Sequence, residues 1–430
     1  MNALLRWRTQ LGLTLGAIVL SVGAYVLVTL GLTGETPHGV AGFVALIAIA
    51  YLAADVAIVN LVPGADPILF PTAALLAGLG YALIYRLNAG LAAEQLGWLI
   101  LGLALFVLTL VLVRDHRSLD GYTYTIGLIG LGFLLLPIVP KIGETINGAR
   151  LWVRLGPISF QPSEAGKVLL VVFMASYLAS HRELLAVATR RIGPIRIPEP
   201  KYLGPLLIAW GVSLAVLFIE KDLGSSLLFF AIFVAMLWAG TGRASYLVLG
   251  IVLFAIAALL GYLAFPHVQD RVAIWFHALD PSYIKDRGYQ LAQGQFALAT
   301  GGIGGTGLGQ GHPGLIPFVA TDFIFAAIGE ELGLLGTVAV LLLYVVIVAR
   351  GLRLALTQQD PFTKLLAIGL SSTIALQTFI IVGGVTRLIP LTGITLPFVS
   401  YGGSSLVANF VLLGLLVRAS GTRTGEASHP

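Results

Sequence analysis

The chain has 430 residues, of which 57% are hydrophobic and only 10% are charged. Soluble domains carry about a quarter charged residues, so this composition, with a mean hydropathy of +0.95, excludes a soluble fold and also excludes disorder, collagen-like repeats and a disulfide-stapled scaffold. Cysteine is absent, which removes thiol nucleophiles and thiolate metal sites, and the formal net charge of +5 reads as membrane topology rather than as a nucleic-acid surface.

A helical span needs about 20 mostly apolar residues. Such runs fall at about 11–32, 39–62, 67–87, 94–113, 122–140, 163–180, 203–219, 223–240, 244–265, 323–349, 362–385 and 404–419. Open sheet edges cannot sit in lipid, and the runs lack the alternation of barrel strands. The fold class expected is an all-α polytopic membrane protein with about 12 transmembrane helices. An even count puts both termini on one side. Placing them in the cytoplasm assigns 15 of the 25 Lys and Arg there, from Arg6 and Arg8 through Arg114, Arg117 and Arg243 to Arg418 and Arg423. The first run is too long for a signal-peptide core and is read as a retained span.

Three outer segments, about 141–162, 266–322 and 386–403, are not ordinary connectors. The first, KIGETINGARLWVRLGPISFQPSEAGK, places Arg150, Arg154 and Lys167 on the outer side, against the positive-inside trend. Pro162-Ser163-Glu164 is a helix start. Glu164 and Lys167 are three apart and could simply pair; the alternative is a site for a phosphate-bearing lipid, since Arg and Lys are natural phosphate ligands. In IEKDLGSS, Glu220, Lys221 and Asp222 are read as a solvated turn between two spans, with Asp222 as the cap of the following helix.

The long loop carries Trp275, Phe276, Tyr283, Tyr289 and Phe296, which argues for an ordered segment. Its stretch Gly301 to Gly311 is glycine-dense but follows no strand, so it is no dinucleotide fingerprint. Asp322 stands where the loop enters a span. It could be an N-cap. Two further acids, Glu330 and Glu331, follow in the same apolar helix, and carboxylates at such depth are expensive and usually functional. Helical spacing sets Glu330 about 80° around from Asp322 and Glu331 nearly opposite. Asp322 and Glu330 could share one cavity, with Glu331 bonded to another helix. The last outer segment, TRLIPLTGITLPFVSYGGSS, adds Arg387 and an irregular, hydroxyl-rich backbone containing Ser400. Asp55 is a lone intramembrane acid with no assigned role. No His spacing suggests a metal site.

The motifs NGARLW, GPISFQPSEAGK, KDLGSS, GYQLAQG, the glycine-rich stretch, TDFIFAAIGEELG and LPFVSYGGSS occur in that order. Together they resemble the shape, elongation, division and sporulation (SEDS) family, over roughly residues 70 to 420. The resemblance implies a ten-helix SEDS core at 67–420, two additional N-terminal helices within 1–66 and a short cytoplasmic tail, 421–430. It implies a peptidoglycan glycosyltransferase that polymerises lipid II into glycan strands with a class B penicillin-binding protein, in the bacterial cell membrane, with the active site facing outside. Asp322 matches the family's essential aspartate and is the expected general base. Arg150 and Lys167 match its cationic outer cavity, and Glu164, Arg387, Glu330 and Ser400 are the further candidate substrate contacts. A divalent cation, Mg²⁺ or Mn²⁺, is implied without a legible ligand set. Where the family usually has Gln-Pro before the turn aspartate, this chain has Glu220-Lys221. The competing function is a flippase for the same lipid-linked precursor.

Overall fold

The structure, a computed structural model, describes residues 3–36, 39–140, 142–146, 149–156, 158–186, 190–192, 195–197, 200–220 and 222–421. It is an all-α membrane architecture. The chain runs through α1 (Ala3–Thr33), α2 (Val40–Leu61), α3 (Leu69–Leu87), α4 (Ala89–Leu112) and α5 (Thr123–Leu135) before its first outer segment. There follow β1 (Gly143–Ile146), β2 (Ala149–Leu155) and β3 (Ile158–Phe160), then α6 (Pro162–Ala186), the short strands β4 (Arg190–Ile192) and β5 (Ile195–Ile197), and α7 (Pro200–Ile219). The remainder is α8 (Leu223–Thr241), α9 (Ala244–Ala264), α10 (Pro266–His277), α11 (Tyr289–Gly301), α12 (Ile324–Thr357), α13 (Pro361–Val385) and α14 (Gly403–Ser420).

Among the described residues, 11 helices are long and apolar enough to cross a membrane. The twelfth run expected from the sequence is α7, whose described apolar part is Gly204–Ala215. Burial sorts the helices. In α3, α6 and α14 roughly three quarters of the apolar window is inside the protein (78%, 72% and 72%), whereas in α9 only 11% is. α3, α6 and α14 therefore form the centre, and α9 offers most of its surface to lipid. With no hydrophobic drive between helices in lipid, close packing and internal polar bonds hold such a bundle together.

Some polar groups inside the bundle bond across helices. Asp55 on α2 accepts from Gln10 Nε2 (2.9 Å) and Thr14 Oγ1 (2.8 Å) on α1, which ties the first two helices to each other. Tyr25, Phe43 and Tyr81 stack between α1, α2 and α3, with ring centroids 4.6 and 4.7 Å apart.

The described residues of the long connecting segments form defined elements. Strands β1, β2 and β3 make a three-stranded antiparallel sheet in which Glu144 pairs with Trp152 and Val153 with Phe160. The long loop contains α10 and α11, as its aromatic content implied. Gln161 N donates to Ser404 Oγ, Tyr401 N to Ala320 O and Arg271 Nη1 to Leu391 O, bonds that bring these connecting segments together.

Candidate active site

Asp322 sits in the turn that leads into α12, and it is not the helix cap. The cap position belongs to Phe323, which makes no side-chain cap bond. The capping role, reasonable from sequence, is thus replaced by a different arrangement. Phe323 is fully buried and anchors the turn. Asp322 Oδ1 accepts from the adjacent Thr321 hydroxyl at 3.1 Å and, at 3.5 Å, from Gln290 Nε2 of α11. Burial pushes the Asp322 carboxyl up to about 6, opposed by these hydrogen bonds and by the positive charge of Arg271.

The turn is gripped from two sides. Gln290 Nε2 also donates to Pro317 O (2.9 Å). From the last outer segment, Tyr401 N donates to Ala320 O at 2.8 Å, and the Ser400 hydroxyl donates to Thr321 O while accepting from Leu396 N. Ser400, expected to touch substrate, is therefore spent on the backbone beside Asp322, because its hydroxyl lies between two loops that need joining. Three non-glycine residues here adopt positive φ, Phe318 (55°), Arg387 (61°) and Phe398 (66°). Such backbone persists only where surrounding contacts over-determine it.

Arg271, on α10, is the cation whose charge acts on Asp322. Its Nη1 donates to Leu391 O at 2.6 Å. The same charge acts on Asp222. Asp222 caps α8, accepting from Ser225 N at 2.9 Å, as its place in the turn predicted, but the turn is not solvated: both Asp222 and Glu220 are buried. Burial raises its carboxyl pKa, Glu164 adds to the rise, and Arg271 opposes it. Beside it Glu220 is buried, its Oε1 has no hydrogen-bond partner, and burial together with the Asp222 charge lifts it to about 8. Glu220 is therefore mostly neutral at pH 7. Lys221 lies outside the described residues.

The other expected contacts have protein partners. Lys167 is 2% exposed and its Nζ donates to Glu164 Oε2 and Gln377 Oε1, each at 2.8 Å. The three-residue spacing turned both ends of the pair to one helix face. Two of the three ammonium donors are thereby used. Arg150 Nη2 donates to Val139 O at 3.1 Å, and its Nε is buried without a partner. Arg387 departs from its expected role. Its guanidinium donates to the carbonyls of Trp275 and Phe276, and Trp275 Nε1 returns a bond to Arg387 O. These are terminal carbonyls of α10, where a cation is favoured by the helix dipole.

Glu330 and Glu331 also do something other than line a cavity with Asp322. Glu330 Oε1 accepts from His312 N (2.8 Å), and Glu331 binds Arg86 Nε of α3 (2.8 Å) and Gly309 N (3.1 Å). Backbone bonds Thr306 N to Glu330 O and Gly307 N to Glu331 O lie beside them. The glycine-rich loop is thus strapped along α12, at the point where Gly333 breaks the helix with φ 66°. A Cβ on Gly333 would lie 2.3 Å from Gly305 N, so the loop fits only against glycine. The glutamates are deep because they satisfy loop amides, and Glu331 is bonded to another helix.

The described residues contain no group of three His, Asp or Glu placed to hold a metal ion. Arg271 stands within electrostatic reach of both Asp222 and Asp322. The donor set therefore does not fit a resident divalent cation.

With this geometry in place, comparison with known proteins is specific. A family model described as cell cycle protein, of the FtsW, RodA and SpoVE type, matches residues 76–425. The peptidoglycan glycosyltransferase RodA of Mycobacterium tuberculosis is 47% identical over 85% of this chain and 80% of its own length. That of Mycobacterium leprae is 43% identical over 96% and 89%. A chain from a solved peptidoglycan synthase complex that coordinates polymerization and crosslinking superposes with a TM-score of 0.66 at 29% identity, covering 83% of this chain and 97% of that one. The rod shape determining protein RodA of Thermus thermophilus gives a TM-score of 0.56 at 28% identity, covering 83% and 96%. The chain belongs to the FtsW/RodA/SpoVE family of cell cycle proteins, a family of multi-pass membrane proteins whose curated members matched here are peptidoglycan glycosyltransferases.

Proposed function

We propose that this protein polymerises lipid II into glycan strands at the outer face of the bacterial cell membrane, with Asp322 as general base. Its class, peptidoglycan glycosyltransferase, is that of its relatives. The observation that carries the assignment is the state of Asp322. It is released from capping, held by the Thr321 hydroxyl and at long range by Gln290, and lifted to about 6. Such a carboxylate is mostly ionised at neutral pH yet takes a proton more readily than an exposed one.

The reaction joins a sugar hydroxyl to the anomeric carbon of a second, diphosphate-linked sugar. Asp322 accepts the hydroxyl proton as the oxygen bonds to that carbon. The carbon–oxygen bond to the diphosphate breaks, and the diphosphate leaves with the electron pair. Cations stabilise that developing charge. Arg271 supplies one close to Asp322. Arg150 has used a single donor, and Lys167 retains one N–H; both are proposed to face the diphosphate. Glu164 holds Lys167 in place rather than touching substrate. A Mg²⁺ or Mn²⁺ ion, where one takes part, would rely on substrate phosphates for most of its ligands, and no step above depends on it.

The same reading places both termini in the cytoplasm and a class B penicillin-binding protein as partner; in support, the chain is similar to one from a peptidoglycan synthase complex that coordinates polymerization and crosslinking. The test is glycan product formed from labelled lipid II by the purified protein, with and without that partner, in wild type and Asp322→Asn.

A further inference from the structure

The outer end of α1 does more than cross the membrane. α1 lies before residue 76, where the match to the family begins, yet it touches the glycine-rich loop directly. Gln310 Nε2 donates to Gly31 O at 2.8 Å. Gly31 is in the last turn of α1, where carbonyls have no partner within the helix, so Gln310 completes that helix end. Gly31 and the loop are in backbone contact: a Cβ on Gly31 would stand 2.2 Å from Leu308 O, and one on Gly309 would stand 2.7 Å from Val28 O. Gly309 also has φ 79°, so an L side chain there is strained as well as crowded.

The loop so touched is coupled to Asp322 at both ends. It begins at the end of α11, the helix that carries Gln290, and Gln290 holds Pro317 and Asp322. On its other flank Gly309 N and His312 N bind the carboxylates of Glu331 and Glu330, one to two turns into the helix that starts two residues after Asp322. We infer that α1 is a strut that sets the position of the glycine-rich loop, with Gly31 and Gln310 as positioning residues for the reaction at Asp322. This rests on the reading of Asp322 as the reacting group. Misplacing a reacting group by about 1 Å can cost about 10²-fold in rate, so a loosened strut acts on turnover more than on substrate affinity.

The experiment uses the full chain in nanodiscs with three variants. Gly31→Leu forces the loop away. Gln310→Glu keeps the side-chain shape but turns a donor into an anion facing a helix C-terminus, which the dipole disfavours; Gln310→Lys restores a donor and a favourable charge. Two readouts are taken: amide hydrogen exchange over residues 302–311, and kcat and KM with labelled lipid II. The expected result is faster loop exchange and a kcat about 10-fold lower in Gly31→Leu and Gln310→Glu. KM should stay within about 2-fold, and Gln310→Lys should recover both readouts. Gln310 is exposed, so its variants decide the matter should Gly31→Leu not fold. Unchanged loop exchange in Gln310→Glu overturns the strut. Faster exchange with wild-type kcat overturns the positioning role. Activity retained in Asp322→Asn would instead overturn the reaction reading, and loop exchange would still report on the strut.

Discussion

Asp322→Asn separates a catalytic carboxylate from a structural one, and here the two make opposite predictions for stability. Burial lifts the Asp322 carboxyl from its usual 3.8 to about 6. A carboxyl raised by folding is favoured in its protonated form. The stability it contributes is therefore present below about pH 4 and is lost as pH rises through about 6. At 1.36 kcal/mol per pH unit, keeping Asp322 ionised at pH 7.5 costs at most about 3 kcal/mol. Asn removes that cost and keeps an oxygen acceptor for the Thr321 hydroxyl. Since α12 is capped elsewhere, no cap is lost. The variant should be as stable as wild type at pH 4.5 and equal or more stable at pH 7.5. Glycan product from lipid II should fall by at least about 10²-fold, because the amide cannot take the hydroxyl proton. Thermal unfolding in detergent at the two pH values and a polymerisation assay at matched protein level measure both effects. Near wild-type product would end the base assignment, and a variant clearly less stable at pH 7.5 would show that Asp322 holds the turn together.

Removing the nearby cation should move the same titration. In Arg271→Gln the charge that lowers Asp322 is gone, so the acid limb of the kcat profile should shift to higher pH and turnover at pH 7 should drop about 10-fold; an unshifted limb would place Arg271 outside the site. Arg86→Met strands the buried carboxylate of Glu331, which pairs with Arg86 at 2.8 Å, and should destabilise by about 3–5 kcal/mol, read as a large fall in unfolding temperature and faster amide exchange over Gly307–Gly311. A reporter fused after Pro430 should signal only a cytoplasmic location; an outer signal would contradict the twelve-span topology.

The bundle was legible because each span is a continuous apolar run, and lipid forces such a run to be a helix. Ends were less legible. The α12 run was expected to stop near 349, where Arg350 interrupts it, but the helix continues to Thr357. Arg350 reaches Asp66 in a salt bridge, and hydrogen bonding along the helix is indifferent to such a charge once it has a partner. In sequence, the segment 141–162 is read from its cations and from the helix start at Pro162, and no strand is expected there. Its strands β1 to β3 were foreshadowed by short β-branched and aromatic runs, TI, LWV and ISF, separated by glycine, a weak signal at three to seven residues.

Within the site, one rule picked out the charged candidates, and the structure gives them different fates. Cations on the outer side are expected either to pair with carboxylates or to meet an anionic ligand. Arg387 found helix carbonyls and Lys167 found Glu164, so sidedness alone does not identify a ligand contact. Arg271 lies in the same outer loop, in the stretch VQDRVAIWF, and no linear pattern singles it out. What distinguishes it is company that no linear pattern displays. It stands with Asp222 and Asp322, which come from segments 100 residues apart. The resulting electrostatics has a mechanistic consequence. Around the turn, the cations Arg271 and Lys167 face the carboxyls of Glu164, Asp222 and Asp322, while Glu220 is mostly neutral. A diphosphate arriving here adds negative charge to a set that is already short of positive charge, unless Arg150 joins it. Each added negative charge raises the pKa of Asp322 further. On the proposed mechanism, Asp322 would therefore become a stronger proton acceptor once a diphosphate substrate is bound, and the proton it takes would offset part of the charge that develops as the diphosphate departs.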